Sequence, residues 1–222
     1  MPRSEQIRAK ADPYAGLDVF YPIVPDVGWL RRLAPLGVRT IQLRLKDASG
    51  EEVRRQLAES LELAARYGVQ LIVNDYWREA IALGADYVHL GQEDLAAADR
   101  AALADAGVRL GISTHSEGEL AIALAAEPDY VALGPIYETR LKVMKWAPQG
   151  LARLTDWKRR IGSLPLVAIG GLTPERADAV LAAGAGSLAV VTDFLTHAEP
   201  ERRVATWLEW AETARVRRVA VR

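Results

Sequence analysis

The chain has 222 residues, 50% of them hydrophobic and 26% charged, and 28 basic against 29 acidic side chains leave a formal net charge of -1. A chain of this length buries roughly 70–75% of the surface its unfolded form exposes, so it needs no staple, and the absence of Cys excludes thiolate nucleophiles, Cys-ligated zinc, iron–sulfur clusters and disulfide scaffolds. Balanced charge argues against a broad nucleic-acid surface while leaving room for a local anion pocket, and no run approaches the ~20 apolar residues of a membrane span.

Residues 1–17 are polar, lack the apolar core of a signal peptide, and read as an extension that covers the lower end of the fold or stays mobile; a cytoplasmic protein is expected. From Asp18 onward, short apolar or β-branched runs alternate with turns and segments of helical spacing. Strands are predicted to begin near Asp18, Arg39, Gln70, Tyr87, Arg109, Tyr130, Leu166 and Ser187. Runs such as Leu71-Ile72-Val73 and Leu188-Ala189-Val190-Val191 are almost continuously apolar, the pattern of parallel strands covered on both faces. Ser49 opens a helix that runs to Tyr67 and stops at Gly68. Ser116-Glu117-Gly118-Glu119 has the spacing of a capping box, and Thr173-Pro174-Glu175 opens a helix with Thr as the cap.

Eight strand–helix units predict a single-domain α/β fold, a (β/α)₈ or TIM barrel over residues 18–215, followed by a solvated, frayed basic tail, 216–222. An open doubly wound sheet competes. The even spacing of the units, and the absence of a Gly-x-Gly-x-x-Gly after the first strand, favour closure.

In a (β/α)₈ barrel the active site lies at the C-terminal ends of the strands, and chemically useful residues collect there. The second strand alternates, sending Gln42, Arg44 and Lys46 to one face and Ile41, Leu43 and Leu45 to the other. Three such groups inside a barrel need an anion or hydrogen-bonding partner; a diphosphate or internal ion pairs would serve. Asn74-Asp75 ends the third strand and Gly91-Gln92-Glu93-Asp94 follows the fourth, so Asp75 and Asp94 could share a hard cation, Mg²⁺, with substrate phosphate and water; the alternative makes Asp94 a helix cap. Ser113-Thr114-His115 ends the fifth strand, with His115 either a general base or a structural histidine, whereas His89 and His197 have no comparable constellation. After the sixth strand, the long segment from Gly134 to Gly150 holds Thr139, Arg140, Lys142 and Lys145, either an anion-binding cover or a solvated loop. Gly170-Gly171 and Val191-Thr192 end the last two strands, where barrels of this kind often bind phosphate.

Gln42-Leu43-Arg44-Leu45-Lys46-Asp47, Asn74-Asp75, His89 to Asp94, Ser113-Thr114-His115, Gly134-Pro135-Ile136-Tyr137 and Ala168 to Gly171, in this order at successive strand ends, resemble the thiamine-phosphate synthase family over about residues 18–195. The resemblance implies a transferase of thiamine biosynthesis that joins hydroxymethylpyrimidine diphosphate to hydroxyethylthiazole phosphate with the help of Mg²⁺. It also implies roles. Gln42, Arg44, Lys46 and Asn74 would contact the diphosphate, Asp75 and Asp94 the Mg²⁺, and Ser113 the pyrimidine or diphosphate. Gly171, Val191 and Thr192 would hold the thiazole phosphate, Thr139 would contact phosphate, and Lys142 would stabilise the departing diphosphate, with Arg44, Ser113 and Lys142 as the catalytic set. Small-molecule substrates are the partners implied; nucleic acid and membrane are not, and homo-oligomerisation is left open.

Three residues depart from the family pattern. Glu138 stands where the loop motif has Pro, Leu141 where it has Thr, and Asp193 where a small residue is usual, so Glu138 and Asp193 bring negative charge near expected phosphate sites. A thiazole tautomerase using His115 as base, and a phospho-ligand-binding barrel without turnover, stand beside the synthase reading.

Overall fold

The computed structural model describes residues 16–46, 48–139 and 146–220, with side chains through residue 217. Its eight strands are β1 (Phe20–Val24), β2 (Thr40–Leu43), β3 (Gln70–Asn74), β4 (Tyr87–Leu90), β5 (Arg109–Thr114), β6 (Tyr130–Leu133), β7 (Leu166–Ile169) and β8 (Ser187–Val190). All pairings are parallel and consecutive, and β8 closes on β1 with Leu188 opposite Phe20, so the sheet is a closed barrel. β3 to β8 begin at the residues expected from sequence. β1 starts later because the Asp18 amide and carboxylate are taken by Thr40 and Arg215 at the lower end of the barrel.

Each strand serves two cores because successive side chains point to opposite faces. Ile41, Val73, Val88, Ile112, Val131 and Leu188 face outward into the main apolar layer beneath the helices. Leu17, Tyr21, Ile23, Ile72, Tyr87, Tyr130, Ala132, Val167 and Ala189 fill the barrel itself. Outside, the fully buried Trp207 stacks on Phe20 at 5.2 Å between ring centres. The equally buried Trp157 donates its indole N–H to Thr114 Oγ1 at 3.0 Å, so its one polar atom carries no unpaired burial cost.

The crossovers are helical: α1 (Val27–Leu33), α2 (Gly50–Tyr67), α3 (Trp77–Leu83), α4 (Gln92–Ala97), α5 (Arg100–Asp105), α6 (Glu117–Ala125), α7 (Gly150–Ile161), α8 (Pro174–Ala182), a short α9 (Thr192–Leu195) and the closing α10 (Pro200–Ala220). Ser49 accepts from the Glu52 amide to start α2, and Gly68, at φ 67°, ends it. Two caps differ from expectation. The Thr173 hydroxyl makes no backbone cap and bonds the Glu175 carboxylate instead. Ser116 does cap α6, but the Glu119 carboxylate reaches past it to the His115 amide, at 2.7 Å.

The basic segment expected as a frayed tail continues α10 through Ala220. Arg215 grips the Asp18 carboxylate with two donors and Arg217 pairs with Asp178 at 3.1 Å, which tie the segment to the barrel. Among the described residues, no helix is long and apolar enough to cross a membrane.

Candidate active site

β2 ends at Leu43, yet the alternation continues past it, with Leu45 buried in the same outer layer as Ile41 and Leu43. Gln42 points into the barrel with 3% of its surface exposed, and its Nε2 donates to the Tyr21 hydroxyl at 2.6 Å. Arg44 and Lys46 do not share that interior: both are exposed on the rim, with the Arg44 amide still bonded to Val24 O at 2.9 Å. The desolvation cost expected for three polar groups therefore falls on Gln42 alone. Two cations are left facing solvent.

Asn74 closes β3, buried, and its Nδ2 donates to the Asp75 carboxylate at 2.5 Å. Asp75 takes a left-handed backbone conformation, φ 67°, which costs a non-glycine residue on the order of 1 kcal/mol or more. Its amide donates to His89 O at 3.0 Å and its carbonyl accepts from the Trp77 amide at 2.7 Å, so the turn is held from both sides. The turn brings the half-buried Asp75 carboxyl into hydrogen-bond contact with Asp94. Burial, and then the Asp94 charge, push the Asp75 carboxyl up to about 6, against the opposing pull of Arg44 and Asn74.

Asp94 sits inside the first turn of α4, whose cap is Gly91, so it is not the cap. Gln92 in the same turn donates to Ser113 O at 2.7 Å and fastens this corner to β5. Among the described residues no three His, Cys, Asp or Glu side chains converge on one point. What the rim offers a cation is a two-carboxylate pair.

His89 proves to have the constellation that its sequence context did not suggest. It lies beside Asn74 on β3 and Gly111 on β5, with Nδ1 2.7 Å from the Tyr130 hydroxyl and Nε2 2.7 Å from Ser113 Oγ. Tyr130 is in turn 3.0 Å from the Tyr21 hydroxyl. Burial above all, with help from the Arg44 charge, pushes the His89 imidazolium down to about 4. The ring is neutral at physiological pH. Gly111 makes room for this layer, because a Cβ there would overlap the Tyr130 ring. The signal was present in the sequence as polar residues at inward positions of otherwise apolar strands: Tyr21 on β1, His89 on β4 and Tyr130 on β6.

His115 stands half-buried on the rim with Nδ1 2.8 Å from Glu119 Oε2 and its ring stacked on Trp146, 5.7 Å between centres and 8° from parallel. His197 lies apart, accepting from the Glu199 amide at 3.0 Å.

On the opposite wall the chain after β6 lies against the turn after β7: the Ile136 amide donates to Ile169 O at 2.9 Å, and the Tyr137 amide to Gly170 O at 3.0 Å. Gly170 and Gly171 have φ of 99° and 65°. Side chains there would run into Pro135 and into Tyr137 and Glu138, so this close approach by itself accounts for the glycine pair. Arg176 lies over the Tyr137 ring at 4.5 Å and donates to Gly171 O at 2.6 Å. Glu138 is exposed and Thr139 half-buried. Arg140, Leu141, Lys142 and Lys145 lie outside the described residues.

Val191 and Thr192 lead from β8 into α9. Asp193, the departure next to them, turns outward. Arg203 takes its carboxylate with two donors at 2.7 and 2.9 Å, and the Trp207 indole adds a third at 2.8 Å.

A family model described as thiamine monophosphate synthase matches residues 21–194, nearly all of this barrel. The chain belongs to the thiamine monophosphate synthase family. The transferase class expected from the sequence stands with that membership. A relative named thiamine-phosphate synthase, from Rhizobium etli, is 56% identical over 192 residues, covering 86% of this chain and 94% of that protein. Its namesake from Salmonella enteritidis is 49% identical over 191 residues, covering 86% and 90%. A solved thiamine phosphate pyrophosphorylase from Pyrococcus furiosus superimposes with a TM-score of 0.78 at 25% identity, over 90% of this chain and 98% of that one. The structural likeness extends over the whole barrel, beyond the motifs of the rim.

Proposed function

We propose that the protein is a thiamine-phosphate synthase, joining hydroxymethylpyrimidine diphosphate to hydroxyethylthiazole phosphate to give thiamine phosphate and diphosphate. The observation that carries this reading is the Asp75–Asp94 pair, two carboxyls in contact at neighbouring strand ends with Arg44 close by. Two half-buried carboxylates so close repel, and a bound divalent cation relieves the repulsion. A site of two oxygen donors on a solvent-facing rim fits Mg²⁺, which completes its shell with water and substrate phosphate. In this reading Asp75 and Asp94 would hold the ion, and the ion would supply positive charge against which the diphosphate departs.

The remaining residues divide between the two substrates. Arg44 and Lys46 bind the diphosphate, Asn74 orients the Asp75 carboxylate beside it, and Gln42 keeps one amide hydrogen for the diphosphate while the other goes to Tyr21. Ser113 contacts the pyrimidine diphosphate. Thr139, Gly171, Val191 and Thr192 receive the thiazole phosphate, and Lys142 stabilises the leaving diphosphate. The C–O bond breaks with its electron pair going to diphosphate, the electron-rich aminopyrimidine carries the resulting benzylic-type cation, and the thiazole nitrogen captures it. No protein nucleophile is needed; charge stabilisation and alignment suffice. Diffusible phosphorylated substrates suit a cytoplasmic enzyme.

The test is to mix purified protein with both substrates and Mg²⁺ and detect thiamine phosphate as its oxidised fluorescent product, with a chelator control. Mg²⁺-dependent product is expected. Binding of both substrates without product would sink the proposal in favour of a silent barrel, and turnover of the thiazole phosphate alone, surviving Asp94→Asn, would favour a tautomerase.

A further inference from the structure

A neutral imidazole with a partner on each nitrogen must accept a hydrogen bond on one side and donate on the other. His89 is in that position, between Tyr130 and Ser113. Each tyrosine in the layer owns a single hydroxyl proton, so its direction depends on its neighbour. The chain of choices ends at Gln42, whose Nε2 can only donate and is 2.6 Å from the Tyr21 hydroxyl. Tyr21 therefore donates its hydroxyl hydrogen bond to Tyr130, across 3.0 Å, and Tyr130 donates its own to His89 Nδ1. The imidazole proton is left on Nε2, pointing at Ser113 Oγ.

We infer that Gln42, Tyr21, Tyr130 and His89 form a one-way hydrogen-bond relay that holds His89 as the Nε2–H tautomer and leaves the Ser113 hydroxyl proton for an acceptor atom of the bound pyrimidine diphosphate. The four act through Ser113 as positioning residues. Only the identity of the acceptor rests on the synthase reading; the relay is a property of the barrel interior. Its members are buried and each has a partner, which is the condition under which a polar network in a core adds order rather than cost. Reversed, the relay would use the Ser113 proton on His89 and present the ligand with a lone pair, the wrong partner for a phosphate oxygen.

The chain has three histidines, so ¹⁵N-histidine labelling with His115→Gln and His197→Gln variants identifies the His89 signals by elimination. In wild-type protein at neutral pH, Nε2 should be protonated and Nδ1 not. A proton on Nδ1, or averaging between tautomers, overturns the relay whatever the turnover. Tyr130→Phe keeps the ring but removes the donor to Nδ1; His89 should lose its single tautomer and kcat should fall about tenfold, with the KM for thiazole phosphate unchanged. An unchanged kcat overturns the inference. Should Tyr130→Phe fail to fold, Tyr21→Phe breaks the relay one step earlier, and the same two readouts decide. An Nε2–H signal in a protein that makes no thiamine phosphate supports the relay and removes the synthase assignment, so the two failures are distinguishable.

Discussion

Replacing Arg203 by Met tests whether this chain tolerates Asp193 beside its proposed phosphate site because one ion pair neutralises it. The side chains of Arg203 and Asp193 are 18% and 11% exposed, and the contact has two donors at 2.7 and 2.9 Å. Exposed pairs contribute ~0–1 kcal/mol, whereas breaking a buried pair costs about 3–5 kcal/mol. This pair lies nearer the second case, but Asp193 would keep the Trp207 indole at 2.8 Å, so Arg203→Met should cost about 2–3 kcal/mol. For a chain of this size that is a fall in Tm of roughly 5–10 °C. Asp193→Ala should cost about 1–2 kcal/mol, because Arg203 retains Glu175 at 3.2 Å. The double variant should cost less than the two losses combined, by about 1–2 kcal/mol. Urea unfolding and calorimetry of the four proteins give the cycle. The KM for thiazole phosphate should rise in Arg203→Met, where a bare carboxylate adjoins Thr192, and recover in the double variant. Additive stabilities, or a KM indifferent to Arg203, would refute the neutralisation argument.

The Asp75 carboxyl, raised to about 6, should make Mg²⁺ affinity fall about tenfold per pH unit below that value, because the proton and the ion compete for one carboxylate; calorimetric titration between pH 5 and 8 would show a flat profile if the two do not meet at Asp75. Because this folded-state value lies above that of an unfolded Asp, the metal-free fold should lose stability as pH rises from about 4 to about 6, and Mg²⁺ should restore it above that range, as thermal scans can check. Burial does most to hold Asp75 up and the Asp94 charge adds to it; Asp94→Asn removes the second, so the Asp75 midpoint should move part of the way down while Mg²⁺ affinity and synthesis collapse, and a carbon-detected NMR titration that finds the midpoint unmoved contradicts the coupling. Lys142→Ala should lower kcat more than it changes KM for either substrate, since its charge matters most as the diphosphate departs; equal changes in both would assign it to binding alone.

The barrel could be read in the sequence because its signals are local and repeated. Continuous apolar runs mark strands buried on both faces, and caps such as Ser49 and Gly68 act through their own backbone neighbours. The acidic rim was readable for the same reason, since Asp75 and Asp94 follow strand ends that the apolar runs already mark. What escaped was set by where a strand stops or by contacts across the barrel. Arg44 and Lys46 continue the alternation of Gln42, with Leu45 buried between them, but stand exposed beyond the barrel interior because the ladder ends at Leu43. His89 gains its role from Tyr130 and Ser113, 41 and 24 residues away. Arg203 reaches Asp193 from the far side of a turn, and no spacing rule foretells that geometry.

The barrel interior is graded along its axis, and the grading explains how an exposed charged rim can be held in fixed geometry. At the lower end, Leu17 and Tyr87 fill space with apolar surface. One level up, Gln42, Tyr21, Tyr130 and His89 are polar, and their burial is offset by bonds to one another. At the top stand Ser113, Asn74, Asp75 and Asp94, half-exposed or paired, with Arg44 in solvent. An apolar middle level would leave Ser113 to choose its own rotamer in contact with water, and a charged one would carry an unpaired burial cost of several kcal/mol. A neutral, fully partnered level avoids both, transmitting the rigidity of the barrel to the Ser113 hydroxyl. The Asp75–Asp94 pair is fixed separately, by the left-handed backbone of Asp75 and the α4 turn that carries Asp94. Two devices of different physics therefore meet at one rim, a hydrogen-bond level that orients a donor and a strained turn that holds two carboxylates together, and each can be broken without the other by Tyr130→Phe or by Asp94→Asn.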